Sequence, residues 1–179
     1  MYGPIPLLVG VTGHRKLPPN TGALKAAVRE TLKGFRRAYP TTSIVLLSSL
    51  SEGADRLVAL EALDLGCTLV VPLPMDAGEY ERDFETAESR AEFRALLARA
   101  TSSFVVPGAE ATPNGDDARN HAYVQCGAYI VRHCVELIAL WDGREGAKGG
   151  TAGVVEFQLD GIPAPYVPQA LAFDLSIMG

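Results

Sequence analysis

Short aliphatic runs that end in glycine or small polar residues alternate along this chain with stretches of three- and four-residue apolar spacing, and that alternation most constrains its fold. The first run is Pro6 to Gly13, dominated by Leu7, Leu8, Val9 and Val11 and followed by Gly13-His14-Arg15. Unbroken aliphatic side chains fit a strand buried on both faces, and glycine at its exit removes Cβ crowding. Pro18-Pro19 keeps the backbone extended, and Asn20 or Thr21 is placed to cap a helix. Leu24, Ala27, Val28, Thr31, Leu32 and Phe35 give that helix one apolar face.

The pattern then repeats. Ile44 to Leu47 reads as a second strand with Ser48 to Gly53 as its polar exit loop, and a helix begins near Ala54 or Asp55 and ends at Gly66. Cys67 to Val71 is a third strand, with Pro72 and Pro74 expected to stop its hydrogen-bond ladder. The acidic stretch Asp76 to Glu92 reads as the solvated side of a helix that continues through Phe93, Leu96, Leu97 and Ala100, with a substrate-gating loop as the alternative. Phe104 to Val106 is a short strand, Pro107 to Asp117 a loop and second lid candidate, and Arg119 to Cys134 a helix in which close packing would explain Gly127. Val135 to Trp141 is the next strand, Thr151 to Gln158 a short helix, and Ile162 to Val167 with Leu171 to Leu175 an interrupted terminal strand.

This order predicts a three-layer α/β domain with a mainly parallel sheet, spanning residues 1–179 as one unit. Right-handed crossovers place helices on both faces and gather the intervening turns at the carboxyl edge of the sheet.

Three separated segments therefore share one expected location: Gly13-His14-Arg15, Ser51-Glu52-Gly53-Ala54-Asp55-Arg56, and Gly149-Gly150-Thr151. Each follows a strand and approaches a helix start, where backbone N–H groups and the positive helix end attract an anionic oxygen. Thr12 and Thr151 offer hydroxyl donors. Arg15 either grips phosphate with its planar guanidinium or pairs with Glu52 or Asp55 and secures the loops. His14 either has a role at the ligand or is explained by hydrogen bonding within the turn. Ser51 and Gly53 suit a polar turn beside a ligand; Asp55 accepts from ribose hydroxyls and Arg56 donates to ligand oxygens, or the two make local ion pairs; Asp142 is a second ribose acceptor or a turn cap. Gly149, Gly150 and Thr151 are the best phosphate-cradle candidate or a purely structural turn, Trp141 is a packing residue or a base platform, and Glu156 is a catalytic carboxylate or a solvent-facing one.

Composition narrows the partners. The formal charge is −5, from 16 basic and 21 acidic side chains, which weighs against a general DNA-binding surface while permitting a small anionic ligand. The apolar runs are too brief for a membrane span, and Met1 to Val11 has no basic region ahead of its apolar residues, so neither membrane nor secretory leader is expected. Cys67, Cys126 and Cys134 form no close pair and read as buried thiols of a reducing, cytoplasmic compartment. No Gly-x-Gly-x-x-Gly follows the first strand, the Walker A lysine is absent, and His14, His121 and His133 are scattered; no cofactor or metal is expected.

Taken in order, Val9-Gly10-Val11-Thr12-Gly13-His14-Arg15, Ser51-Glu52-Gly53-Ala54-Asp55-Arg56, Leu140-Trp141-Asp142 and Gly149-Gly150-Thr151-Ala152 resemble the SLOG superfamily, the Rossmann-like group related to the DNA-processing protein A and Lonely Guy families. The resemblance implies a nucleotide or nucleotide-derived ligand at the strand-end loops, with Gly13, Arg15, Gly53, Asp55, Gly149, Gly150 and Thr151 on the binding rim. Lonely Guy enzymes carry a proline-led glycine-rich pattern followed by glutamate, and cleave the base to ribose bond of nucleoside monophosphates. Lys148 to Glu156 matches it in part, without the proline and with the threonine displaced. The expected function is therefore binding of a small phosphorylated nucleotide-like ligand as a sensor, with a phosphoribohydrolase using Glu156 and Arg15 as the alternative and a ligand-free interaction domain as a third. The fold class also suits a homo-oligomer.

Overall fold

A computed structural model describes residues 5–107, 116–145 and 150–166. Five strands, β1 (Leu7–Gly13), β2 (Ile44–Leu47), β3 (Thr68–Leu73), β4 (Ser102–Val105) and β5 (Glu136–Leu140), form one sheet in the order β4-β3-β2-β1-β5. Every pairing is parallel, from Leu7 opposite Ile44 to Gly13 opposite Leu140. The helices are α1 (Gly22–Ala38), α2 (Ala54–Asp64), α3 (Ala77–Tyr80), α4 (Ala87–Ala98), α5 (Asp116–His133) and α6 (Thr151–Asp160). This is the expected three-layer α/β architecture, of Rossmann-like build.

Strand parity explains the layers. Leu7, Val9 and Val11 of β1, Ile44 and Leu46 of β2, and Leu69, Val71 and Leu73 of β3 share one core with Val28 and Leu32 of α1 and with Leu57 and Val58 of α2. On the other face Leu47 packs with Cys126 and Ile130 of α5. Gly10 points to that face, where an added Cβ would lie 2.8 Å from the Ile130 side chain; its absence lets α5 settle onto β1. Gly127 serves α6 in the same way, since a Cβ there would stand 2.7 Å from Val154. Thr21 is the N-cap of α1, and Asn20 before it accepts from the Gly22 N–H at 3.1 Å.

Three expectations are corrected. Pro72 lies within β3 rather than ending it. The Leu69 and Leu73 carbonyls accept from β4-side residues Thr101 and Val106, whereas the Val70 carbonyl accepts from Ser48 on the β2 side. Pro72 therefore faces β2 beyond that strand's last residue, and its missing N–H interrupts no ladder. The stretch Asp76 to Glu92 is more than a solvated helix face: α3 and a 3-10 turn at Glu81–Asp83 precede α4, and Tyr80, Phe84 and Phe93 are fully buried in edge-on and tilted contact. Ile162 to Tyr166, the described part of the expected terminal strand, is not a strand either. Ala164–Tyr166 is a 3-10 turn whose Tyr166 packs beside Phe157 of α6 and His121 of α5; Leu171 to Leu175 lies outside the described residues.

Candidate functional site

β2, β3 and β4 follow β1 outward on one side, whereas β5 returns to its other side, so the direction of winding reverses between β1 and β5. Loops leave toward opposite faces at such a point and open a crevice above the carboxyl ends of the strands. A cavity of about 360 Å³ occupies it here. Thr12, Gly13, His14 and Arg15 line it from β1, Ser49, Ser51 and Asp55 from the β2–α2 junction, Trp141, Arg144 and Glu145 from the end of β5, and Gly150, Thr151 and Ala152 from the start of α6. Tyr80 and the α5 face of Tyr123, Cys126, Gly127 and Ile130 complete the wall.

The β1 exit is held by backbone packing. A Cβ on Gly13 would stand 2.3 Å from the Ala54 Cβ and 2.8 Å from the Leu140 carbonyl, so Gly13 permits the ends of β1 and β5 to meet the start of α2. Gly53 has φ +78°, and a Cβ there would fall 2.3 Å from the Arg15 carbonyl. Both glycines are required by these close contacts within the protein, and Gly13 also lines the cavity. The Ala54 N–H at the start of α2 donates to the His14 carbonyl at 3.1 Å.

The β2 exit is held by strain and a buried cation. Leu50 has φ +57° and a fully buried side chain, a conformation that costs about 1–2 kcal/mol outside glycine. Its N–H donates to the Ser48 hydroxyl at 3.1 Å, and its carbonyl accepts from the Arg56 Nε at 3.0 Å. Arg56 is buried, lies over the Phe84 ring, and donates to the Ser89 carbonyl, the Ser89 hydroxyl and Glu92. It fastens α4 to the loop that presents Ser49 and Ser51.

Asp55, in the first turn of α2, is 4% exposed at the cavity wall. The Ser49 hydroxyl donates to its Oδ2 at 2.9 Å. Burial pushes its carboxyl up to about 7; hydrogen bonds from Ser49 and the Ser51 backbone, and the charges of Arg15 and Arg56, hold it down only in part. Burial also raises the neighbouring Tyr80 phenol and Cys126 thiol, and the Asp55 charge adds to both shifts. The sequence reading made Cys126 a buried thiol and gave Tyr123, Ser49 and Tyr80 no individual role at the site. The signal for Ser49 was its position in the polar loop leaving β2, two residues before Ser51; Tyr80 had none, because its place comes from the long-range packing of α3.

At the mouth, the Arg15 guanidinium lies over the Tyr123 ring, 5.5 Å from its centroid. Tyr123 donates to Asp83, which Arg119 grips at 2.7 Å. Among the described residues Arg15 has no carboxylate partner within salt-bridge distance; Glu52 instead accepts from the Ser89 hydroxyl. At α6, Gly150 is the N-cap, no side chain among the described residues caps the helix, and its first turn holds no acid. The Val154 N–H is the first there to bond back along the chain, to the Gly150 carbonyl.

Two candidate residues stand elsewhere. Asp142 borders a neighbouring apolar hollow between α1 and β5, accepts from the Arg144 N–H at 3.1 Å, and lies 3.0 Å from His14 Nε2. It closes its own turn and ties the β1 and β5 exits together. Glu156 is exposed on α6 and is not among the cavity-lining residues, which on that helix are Thr151, Ala152 and Val154. Gly149 lies outside the described residues. Among those described, no group of three or more His, Cys, Asp or Glu is placed to hold a metal ion, and no helix is long and apolar enough to cross a membrane.

The fold is similar to that of DNA processing protein A from Streptococcus pneumoniae, with TM-score 0.57 and 16% identity. The likeness is one of fold. It covers 87% of this chain and 48% of that one, so the chain spans about half the length of the solved relative. No family model matches the sequence, and no curated protein matches it.

Proposed function

We propose that this chain belongs to the SLOG group and binds a small phosphorylated nucleotide or nucleotide-derived ligand, acting as a sensor in a reducing, cytoplasmic setting. One observation carries the reading: the cavity at the sheet's winding reversal has a helix N-terminus at Gly150-Thr151-Ala152 that no side chain among the described residues caps and, at its mouth, the Arg15 guanidinium with no carboxylate partner among those residues. Unbonded N–H groups at a helix start and an unpaired guanidinium are complementary to phosphate oxygens. Apolar and aromatic side chains, Tyr123, Ile130, Trp141 and Val154, offer a surface for a base. The relative named for DNA processing shares the fold, and the net charge of −5 favours a small ligand over a nucleic-acid strand.

Mass spectrometry of ligand retained by gently purified protein, followed by calorimetric titration with that compound and with a nucleoside monophosphate panel, tests this function. Arg15→Ala and Thr151→Ala are each expected to weaken binding about tenfold or more, the usual loss for a hydrogen bond to a charged group. Unchanged affinity in both variants would remove the phosphate assignment.

A further inference from the structure

The two ends of the cavity differ in kind. Its α6 end presents the start of that helix with Arg144 at the lip; its β2–α2 end presents the Asp55 carboxyl with Ser49 and Ser51, and Arg15 stands at the mouth on that side. A phosphate placed against the buried carboxyl would meet a like charge with little water between them. The phosphate therefore belongs at the α6 end, and the group that reaches Asp55 is uncharged and rich in donors. An ionised carboxylate only accepts.

We propose, building on the nucleotide-binding reading, that Asp55 with Ser49 forms a subsite for the vicinal diol of a ribose, making the cavity selective for ribonucleotides over their 2′-deoxy counterparts. A ribose keeps its two hydroxyls a short, fixed span from its 5′-phosphate, and a carboxylate has two oxygens to receive both. Among the described residues the Ser49 hydroxyl and the Ser51 backbone N–H donate to the Asp55 carboxylate, which leaves further lone pairs for two ligand hydroxyls. The base falls instead to the apolar wall of Tyr123, Ile130 and Val154, so the hydrophilic end is left to the sugar. The groups facing Asp55 are Ser49 and Ser51 from the β2–α2 loop, Arg15 from the β1–α1 loop, Arg56 from its own helix, Tyr80 from α3 and Cys126 from α5.

Calorimetric titration of the full chain at pH 8, where Asp55 is mostly ionised, with AMP, 2′-deoxy-AMP, GMP and 2′-deoxy-GMP tests the subsite. The ribonucleotide of each pair is expected to bind at least about tenfold more tightly, since a site built around a substrate hydroxyl rejects the analogue that lacks it. Asp55→Asn, with its fold checked by circular dichroism, is expected to reduce that ratio to near one, and Ser49→Ala to lower it in part. Equal affinity for ribo and deoxy forms, discrimination by base without discrimination by sugar, or a ratio kept in folded Asp55→Asn would each overturn the subsite and leave nucleotide binding standing. Failure of all four compounds to bind would overturn both.

Discussion

Gly13 and Ala54 are packed so closely that a Cβ on the glycine would stand 2.3 Å from the Cβ of the alanine. The end of the central strand and the start of α2 are thereby locked, and Asp55, one residue on, is carried to the cavity wall. Gly13→Ala must push α2 or β5 aside, because the Leu140 carbonyl is 2.8 Å away on the other flank. Overpacking of this kind costs about 3 kcal/mol, which urea unfolding against the parent protein will register.

Asp55 makes stability depend on pH. Its carboxyl titrates at about 7 in the folded chain, against an ordinary value of 3.8, because it is buried. The folded state thus holds this proton to higher pH than the unfolded state does. The contribution is fully favourable below about pH 4, falls as the pH rises toward 7, and is level above that; the whole difference is about 4 kcal/mol at most. Asp55→Asn is expected to flatten this part of the profile and to be more stable than the parent at pH 8, with little difference at pH 4. Thermal unfolding across that range measures it, and a parallel profile for the two proteins would count against the burial effect.

The two arginines of the loops divide between ligand and scaffold. Arg56→Ala removes a buried cation that bonds to Leu50, Ser89 and Glu92, leaving those acceptors unmet, and is expected to cost about 3–5 kcal/mol. Arg15→Ala removes an exposed side chain resting on Tyr123, and is expected to cost under about 1 kcal/mol of stability while weakening phosphate-bearing ligands. Denaturation and titration of the same two variants separate the roles.

Glu156→Gln is expected to leave ligand affinity within about 0.5 kcal/mol of the parent, the range of ordinary surface substitutions. The side chain is exposed and outside the cavity lining. Loss of binding in this variant would place Glu156 at the ligand after all.

Much of the architecture was legible before any coordinates. Aliphatic runs such as Leu7 to Val11 and helical spacings such as Leu24 to Phe35 are local patterns, and a parallel sheet forces their connecting turns to one edge; Arg15, Ser51, Asp55, Gly150 and Thr151 could be grouped on that basis alone. Proline at position 72 misled, because whether a missing N–H matters depends on where the neighbouring strand stops.

Periodicity and chain connectivity set the order of elements and the side of the sheet on which the polar turns collect. The role each residue takes there came from long-range packing. It spent the Gly13 and Gly53 openings on backbone packing, buried Arg56 as a clasp, turned Glu156 outward, and enclosed Asp55 among Ser49, Tyr80 and Cys126. Burial and the distance between residues far apart in the chain set charge state and contact, and neither is a property of any local stretch of sequence.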